Sequence, residues 1–444
     1  MDARTGWTVE LLQTLIRNAC VNDGSRGSGG EGRNADVLSS VVETGGVTVE
    51  RFEPAPGRVS IVARLEGTDP GAPSLCLMGH TDVVPVDPDG WSRDPFGGEL
   101  VAGEVWGRGA VDMLNLTASM AVAFVDLARS PVRPRGDVIY FAVADEESGS
   151  AYGARWMADH APEAIRADYV LTENGGLHSG PDGERRVGIT VAEKGVAWRR
   201  LRVHGTPGHG SMPFRSDNAL VTAAAIVALL HRYQPSARFS ELWPVRVASL
   251  PVDDETKALL LDERRIDEVL EAMPNAGTAA YLHACSHTTL SPNLVAGSMK
   301  TNVIPGTVDV NVDIRTLPGE TEADVEAHLR AALGDVADQV EVTVLLNDPA
   351  STSRIDTPLW DALQRSVQRQ FPATSLLQQL SVGFTDARIY RQMGAVAYGA
   401  GLLSPTIDAG EFGRRFHGND ERIDVESLGL TTQLWLDVVR DLSG

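Results

Sequence analysis

Three observations predict an α/β protein with a mixed, largely parallel sheet flanked by helices, into which a smaller α+β domain of ferredoxin-like order is inserted. First, apolar runs of strand length alternate with longer helical stretches from Val59 to Thr172, the signature of a buried sheet covered by crossover helices. Second, from Gly195 the texture changes to a β-α-β-β-α-β order, the ferredoxin-like arrangement. Third, 444 residues with 43% hydrophobic and 22% charged composition make a globular chain longer than the roughly 250–300 residues one core usually spans. The expected division is residues 1–194 with 347–444 for the α/β domain and 195–346 for the insertion.

The elements follow in order. Val9, Leu12, Leu15, Ile16 and Ala19 are spaced as one face of a helix, and Ala35–Glu43 gives a second helical stretch. The Gly/Ser-rich loop Asn22–Asn34 between them contains Gly27-Ser-Gly29-Gly30-Glu-Gly32. That spacing matches a dinucleotide fingerprint, but it follows a helix where the fingerprint needs a strand, so it reads as a linker. Strands are expected at Val59–Leu65, Ser74–Met78, Val138–Ala144 and Tyr169–Thr172, and helices at Leu114–Leu127 and Ala151–His160. In the insertion the expected order is strand Val196–His204, helix Asn218–His231, strands Asn293–Met299 and Thr307–Arg315, helix Glu320–Leu333 and strand Val340–Leu346. An acidic, mostly helical stretch around Asp253–Met273 interrupts it.

Charge and cysteine content narrow the function. A formal net charge of −21 gives no electrostatic reason to bind phosphate backbones or anionic lipid, so neither nucleic acid nor membrane is expected as a partner. The longest apolar run, Val221–Leu230, is too short to cross a bilayer, and Met1–Cys20 lacks the pattern of an export signal. Three scattered cysteines, Cys20, Cys76 and Cys285, do not make a disulfide framework. The expectation is a cytoplasmic protein.

The chemistry-bearing residues gather at the ends of predicted strands, the edge where ligands bind in parallel sheets. Leu77-Met-Gly-His80-Thr-Asp82 follows one strand; two apart in extended chain, Asp82 is placed to brace the imidazole of His80. Gly107-Arg-Gly109-Ala-Val-Asp112-Met precedes a helix, where Asp112 reads equally as an N-cap. Ala144-Asp145-Glu146-Glu147 ends the next strand, either as a solvated helix start or as a cation site, because adjacent carboxylates repel. Leu171-Thr-Glu173 ends another, and Arg415-Phe-His417-Gly-Asn-Asp420-Glu421 supplies a histidine in a polar turn. Two histidines with several carboxylates and no cysteine suit divalent zinc, manganese or cobalt rather than a sulfur-bound structural zinc.

With these motifs in this order, the chain resembles the metallohydrolase family that includes aminoacylase, acetylornithine deacetylase, succinyl-diaminopimelate desuccinylase, carnosinase and the bacterial glutamate-releasing carboxypeptidase. The similarity runs from the first helix to Glu421. It implies two divalent metal ions, zinc with cobalt or manganese as alternatives: one held by His80, Asp112 and Glu173, the other by Asp112, Glu147 and His417, with Asp112 bridging. It implies Asp82 as the partner of His80, a cis bond at Asp112–Met113, and Glu146 as the general base on the attacking water, distinct from Glu147 because a metal-held carboxylate is poorly basic.

The resemblance extends into the insertion, which it makes a lid. Glu193-Lys-Gly195 matches the family's crossover, and Gly205-Thr-Pro-Gly208-His209-Gly-Ser211-Met-Pro213 its lid histidine motif, implying that His209 stabilises the oxyanion on lid closure or from a partner subunit, in a homodimer formed through the lid. Thr301-Asn302-Val-Ile-Pro305 and Asp313-Ile-Arg315 match residues that grip a substrate carboxylate, a task suited to an Arg fork; for Arg315 a simple ion pair with Asp313 is the alternative. Gly383-Phe-Thr385-Asp386-Ala-Arg388 resembles a further substrate-side loop containing Thr385, with Arg388 equally readable as a structural ion-pair partner. Where the family continues after the bridging aspartate with a lysine and small residues, this chain has Leu114-Asn115-Leu116, so the local pocket wall differs.

The implied function is hydrolysis of an amide bond next to a free carboxylate, in an N-acyl amino acid or short peptide. Glu173 tilts it toward a deacylase or carboxypeptidase, with a dipeptidase or aminopeptidase as the alternative. A catalytically silent ligand-binding protein is the alternative of another class, disfavoured because Glu146 and every metal position are present. Within the unassigned stretch Ser236–Leu290, His283-Ala-Cys285-Ser-His287 on one strand is too cramped to close a metal site, so packing is expected there. His160, His178, His204, His231 and His328 read as structural.

Overall fold

The computed structural model describes all residues except Arg26, Asp182, Ser298, Met299, Ser443 and Gly444. Internal contacts divide the chain into two units: Met1–Val191 with Ser353–Gln379 and Thr385–Gly444, and Ala192–Thr352 with Leu380–Phe384. Among the described residues no helix is long and apolar enough to cross a membrane.

The sheet of the first unit is mixed, with strands in the order Val49–Ala55, Arg58–Leu65, Val138–Val143, Leu75–His80, Tyr169–Thr172, Val396–Gly399 and Arg186–Glu193. The four strands from Val138–Val143 to Val396–Gly399 are parallel, and antiparallel strands flank them. The first three of these, Val138–Val143, Leu75–His80 and Tyr169–Thr172, are buried along their whole length, as expected for strands covered on both faces. Helices Ala3–Arg17, Leu114–Arg129 and Val425–Leu442 pack on one another, and the second lies against strand Leu75–His80. In Leu114–Arg129 only Asp126 and Arg129 escape burial, so this helix, apolar nearly all round, runs through the core. It approaches the sheet closely enough that a Cβ on Gly79 would sit 2.4 Å from Thr117 Oγ1. Elsewhere in this unit Met157, Ile389 and Tyr390 pack with Met78, Phe141 and Val170.

Several boundaries differ from expectation. Strand Leu75–His80 runs two residues further, to the histidine itself. The helix expected from Ala151 begins at Ala154, because Asp145 and Ser150 adopt left-handed backbone and Glu146–Ser148 forms a single 3-10 turn. Strand Val49–Ala55 was not anticipated; half-exposed and carrying Glu, Arg and Pro, it is an edge strand without an apolar signal.

The second unit holds an antiparallel sheet ordered Thr289–Ala296, Thr307–Thr316, Gly195–His204 and Val340–Asp348, the ferredoxin-like strand order, with helices Ala219–Arg232 and Glu322–Leu333 packed on one face. Val308, Val310, Val312 and Ile314 alternate inward along the central strand, the period-2 pattern of a sheet with one buried face. The expected strand Asn293–Met299 is Thr289–Ala296, and Ser298 and Met299 lie outside the described residues. Between the first helix and that strand come four more helices, Leu242–Ser249, Asp254–Leu260, Ile266–Ala272 and Ala276–Ser286. The segment His283–His287, expected as strand, is therefore the end of a helix with His287 at its C-cap; Ala-rich sequence favours helix there.

Candidate functional site

Parallel pairing sets the site. His80 ends its strand opposite Val143, and Leu77 pairs with both Tyr140 and Leu171, so His80, Glu146, Glu147 and Glu173 all emerge at one edge. Asp112 comes from the turn before helix Leu114–Arg129; Met113, not Asp112, holds the cap position, and no side chain caps it. The Asp112–Met113 bond is cis. Glu421, fully buried, fixes this turn: its Oε1 accepts the amides of Gly109 at 3.1 Å, Val111 at 2.7 Å and Asp112 at 3.0 Å, and its Oε2 accepts from Arg108 Nη1 at 2.7 Å. Arg108 Nη2 also donates to the carbonyl of His417 at 3.3 Å, tying the histidine turn to the aspartate turn.

The two oxygens of Asp112 face different imidazoles: Oδ1 lies 3.1 Å from His80 Nε2 and Oδ2 lies 3.2 Å from His417 Nε2. His417 Nε2 is 3.4 Å from Glu147 Oε2, and His80 Nε2 is 3.9 Å from Glu173 Oε1. Two triplets, His80 with Asp112 and Glu147 and His80 with Glu146 and Glu173, present donor atoms all within 4.8 Å of one another. The structure thus brings His80, Asp112, Glu146, Glu147, Glu173 and His417 together. The solvated-helix reading of the acidic run fails, since Asp145 and Glu146 are 2% and 6% exposed.

The electrostatics are those of crowded negative charge. Burial, with Asp386 and Glu147 nearby, pushes the Glu146 carboxyl well above its ordinary value against the pull of His80. Burial and the charges of Asp112 and Glu146 do the same to Glu173. The hydrogen bonds of His417 and His80 hold Asp112 low despite its burial, while Asp112 and Glu147 raise His417 to about 10. Glu147 Oε1 is buried without a hydrogen-bond partner. Buried carboxylates need paired charge or a metal, and an orphaned carboxylate oxygen beside two imidazoles and three other carboxylates is a donor set that divalent ions fit.

Asp82 does not brace His80 as extended geometry predicted. The chain turns after His80, so Nδ1 meets the main-chain carbonyl of Asp82 at 2.9 Å while the carboxylate is 3.6 Å away. That carboxylate instead accepts Asn22 Nδ2 at 2.8 Å and the amides of Glu146 and Glu147 at 3.3 and 3.2 Å. Asn22 Oδ1 in turn accepts from Arg58, whose Nη1 pairs with Glu31 at 2.6 Å. Asn22, Glu31, Arg58 and Glu421 were not singled out from sequence; each acts through residues far along the chain. Asp145, Asn174, His417 and Asp420 all have φ between 53° and 71°, the sparsely populated conformation that clusters at functional sites.

Thr385 is buried, and its Oγ1 accepts the amide of Ala387 at 3.1 Å. Arg388 donates to the Thr385 carbonyl at 2.7 Å and lies 3.8 Å from Asp386. In the second unit, His209 is exposed and its Nδ1 meets Ser211 Oγ at 2.7 Å; the short strand Gly208–His209 pairs with Val303–Ile304, and Gly210 donates to the Asn302 carbonyl at 2.8 Å. His209 and exposed Asn302 therefore lie on adjoining turns. Arg315 forks onto Asp313 through Nε and Nη2 at 2.7 and 3.2 Å. Its guanidinium lies 5.1 Å from the ring of Phe384, and its Nη1 is buried with no partner.

The chain is similar to known proteins in sequence and in fold. The sequence pattern of the peptidase family M20/M25/M40 matches residues 76–441. The chain is 28% identical over 439 residues to a succinyl-diaminopimelate desuccinylase of Rhodospirillum centenum, covering 97% of this chain and 96% of that protein. It is 26% identical over 417 residues to the human N-fatty-acyl-amino acid synthase/hydrolase PM20D1, covering 91% and 80%. In fold it is similar to the M20 metallo-carboxypeptidase Sso-CP2 of Sulfolobus solfataricus, with TM-score 0.76 at 18% identity and full coverage of both chains, and to human carnosine dipeptidase 1, with TM-score 0.68 at 18% identity and 99% and 97% coverage. The chain belongs to the peptidase family M20/M25/M40, a family of dinuclear metal-dependent enzymes, and is a metal-dependent amidohydrolase.

Proposed function

We propose that the protein hydrolyses an amide bond adjacent to a free carboxylate, as an N-acyl amino acid deacylase or a carboxypeptidase. His80, Asp112 and Glu173 would hold one divalent ion and Asp112, Glu147 and His417 the other, with zinc the ion best suited to this mixed nitrogen and oxygen donor set. Such a pair, when bound, acidifies water toward neutral pH and polarises a carbonyl. Glu146, whose buried carboxyl has a raised proton affinity, takes the proton of the attacking water and returns it to the leaving nitrogen. Asp82 and Asn22 orient the Glu146 and Glu147 turn through their hydrogen bonds. His209 donates to the developing oxyanion, and Asn302, Arg315 and Thr385 contact the substrate.

The observation that carries the carboxylate specificity is Arg315. Asp313 occupies two of its nitrogens and leaves Nη1 buried without an acceptor, and a buried unpaired donor calls for a partner. The carboxylate of an N-acyl amino acid supplies one. The names of two relatives, a desuccinylase of a diaminopimelate and a hydrolase of N-fatty-acyl amino acids, point to the same bond class. The test compares an N-acyl amino acid with its carboxamide on wild type and Arg315→Ala. Asp313 keeps the guanidinium's charge paired, so a carboxamide forfeits one charge-assisted bond at Nη1, worth about 1.5–3 kcal/mol; the acid should be preferred roughly tenfold to a hundredfold in kcat/KM, and the variant should lose most of that preference. Equal preference in both enzymes removes Arg315 from the site.

A further inference from the structure

Beyond the residues assigned above, the second unit brings together His283, His287 and Asp267, with donor atoms within 4.8 Å of one another. His283 and His287 are four apart at the end of helix Ala276–Ser286, and their rings stack with centroids 4.1 Å apart and planes 5° from parallel. Asp267 comes from the preceding helix, Ile266–Ala272, which packs against it. Positions i and i+4 on one helix with a carboxylate from a neighbour form a familiar way to build a three-ligand zinc site.

The hydrogen bonds of His287 set its lone pair. Nδ1 meets the His283 carbonyl at 3.2 Å, an oxygen that can only accept, and Ser286 Oγ at 2.9 Å, a hydroxyl that has the carbonyls of Leu282 and His283 as acceptors for its own proton. This setting favours the proton on Nδ1, and in that neutral ring Nε2 presents a lone pair. This is how a ligating imidazole is oriented, its other nitrogen donating to a backbone carbonyl. His287 is completely buried, and Nε2 has no hydrogen-bond partner. It faces Asp267 Oδ1 at 3.4 Å, long for a charge-assisted hydrogen bond of about 2.7–2.9 Å. Two ligands at about 2.0–2.1 Å from a tetrahedral ion lie roughly 3.4 Å apart.

We propose that Asp267, His283 and His287 form a further divalent-metal site, of the zinc class, with a ligand set that shares no residue with the dinuclear one. Three protein ligands leave a fourth position, and Asp267, with 57% of its side chain exposed, puts the ion at the surface and within reach of solvent. The ion would pin helix Ala276–Ser286 to helix Ile266–Ala272. The Lys194 ammonium, which donates to the carbonyls of Ala284 and His287 at 2.9 and 2.7 Å, lies on the main-chain side of the same helix end.

The test is zinc stoichiometry. Full-length enzyme is loaded with zinc, passed over a desalting column in the presence of a weak competing chelator, and assayed for metal by mass spectrometry, beside Asp267→Ala and His283→Ala. Wild type should retain one equivalent more than either variant, and competition should show zinc held at least about tenfold more weakly at this site in Asp267→Ala, since loss of a mere supporting residue already costs 10–100-fold. Cobalt substitution should give wild type a tetrahedral visible absorption component that Asp267→Ala lacks. Asp267 is exposed, so this variant folds whether or not His283→Ala does. Equal stoichiometry and equal cobalt spectra in wild type and Asp267→Ala would overturn the proposal and leave an ordinary buried histidine pair. The dinuclear residues are untouched in every variant, so the outcome is independent of the proposed substrate.

Discussion

Glu421 offers the sharpest test of how the site is built. Its Oε1 gathers three backbone amides of the turn that carries Asp112, and its Oε2 pairs with Arg108, which is 3% exposed. Glu421→Gln keeps an oxygen for the three amides but turns an NH2 group toward the guanidinium. The variant therefore isolates one loss, the partner of a buried cation, worth about 3–5 kcal/mol. Because a chain of two units need not unfold in one step, the loss is best read locally, from hydrogen exchange of the Gly109, Val111 and Asp112 amides. At about 1.4 kcal/mol per factor of ten, their protection should fall roughly a hundredfold to three-thousandfold. The double variant Arg108→Met/Glu421→Gln removes the stranded charge and should recover about 2–3 kcal/mol of that loss, the upper range for residues in one network. Protection within about threefold of wild type in Glu421→Gln, or a double variant no better than the single, would refute this account.

Three further outcomes are expected. Glu146→Gln should keep its metal content yet lose at least about a hundredfold in kcat; metal depletion, or near-normal turnover with metal present, would reassign the base. His209→Ala should retain metal and lose about 2.7–4 kcal/mol of transition-state stabilisation, read as a fall in kcat, whereas a change confined to metal content would place His209 elsewhere. The three cysteines are free and buried, with burial pushing Cys20 up to about 11 and Cys76 up to about 12. Since the thiolate is the reactive form and a raised pKa keeps the thiol protonated below those values, a thiol reagent at pH 8 should find no fast-reacting group in the native protein and three in denaturant.

What could be read in advance was whatever topology guarantees. Once strands are parallel, residues that end them share an edge, so His80, Glu146, Glu147 and Glu173 were placed by strand order alone. Asp112 and His417 needed the family resemblance, because a turn residue beside Gly107 and Gly109 looks like a helix cap until Glu421 is seen holding its backbone. The role expected of Asp82 depended on the strand continuing past His80; the chain turns there, and the carbonyl took the place of the carboxylate. His283 and His287 show the converse: on the expected strand they would be too cramped to share a ligand, whereas they end a helix, which sets residues four apart side by side.

The arrangement of cations explains why the centre calls for metal. Asp112, Glu146, Glu147 and Glu173 are packed at one sheet edge, and the first unit also buries Arg58, Arg108, Arg388 and Arg415. Arg58 pairs with Glu31 and Asn22, Arg108 with Glu421 and Arg415 with Glu411, while Arg388 donates to the Thr385 carbonyl beside Asp386. Arg58 and Arg108 fix residues that in turn orient the loops bearing the carboxylates, through Asn22 to Asp82 and through Glu421 to the Asp112 turn. An arginine placed directly on Asp112 or Glu147 would satisfy the charge and block the donors, whereas an ion placed there satisfies the charge and uses them. In the proposed scheme the same reasoning separates Glu146 from the ligands: burial, with Asp386 and Glu147 nearby, pushes Glu146 toward protonation, while Glu147 lies beside His417.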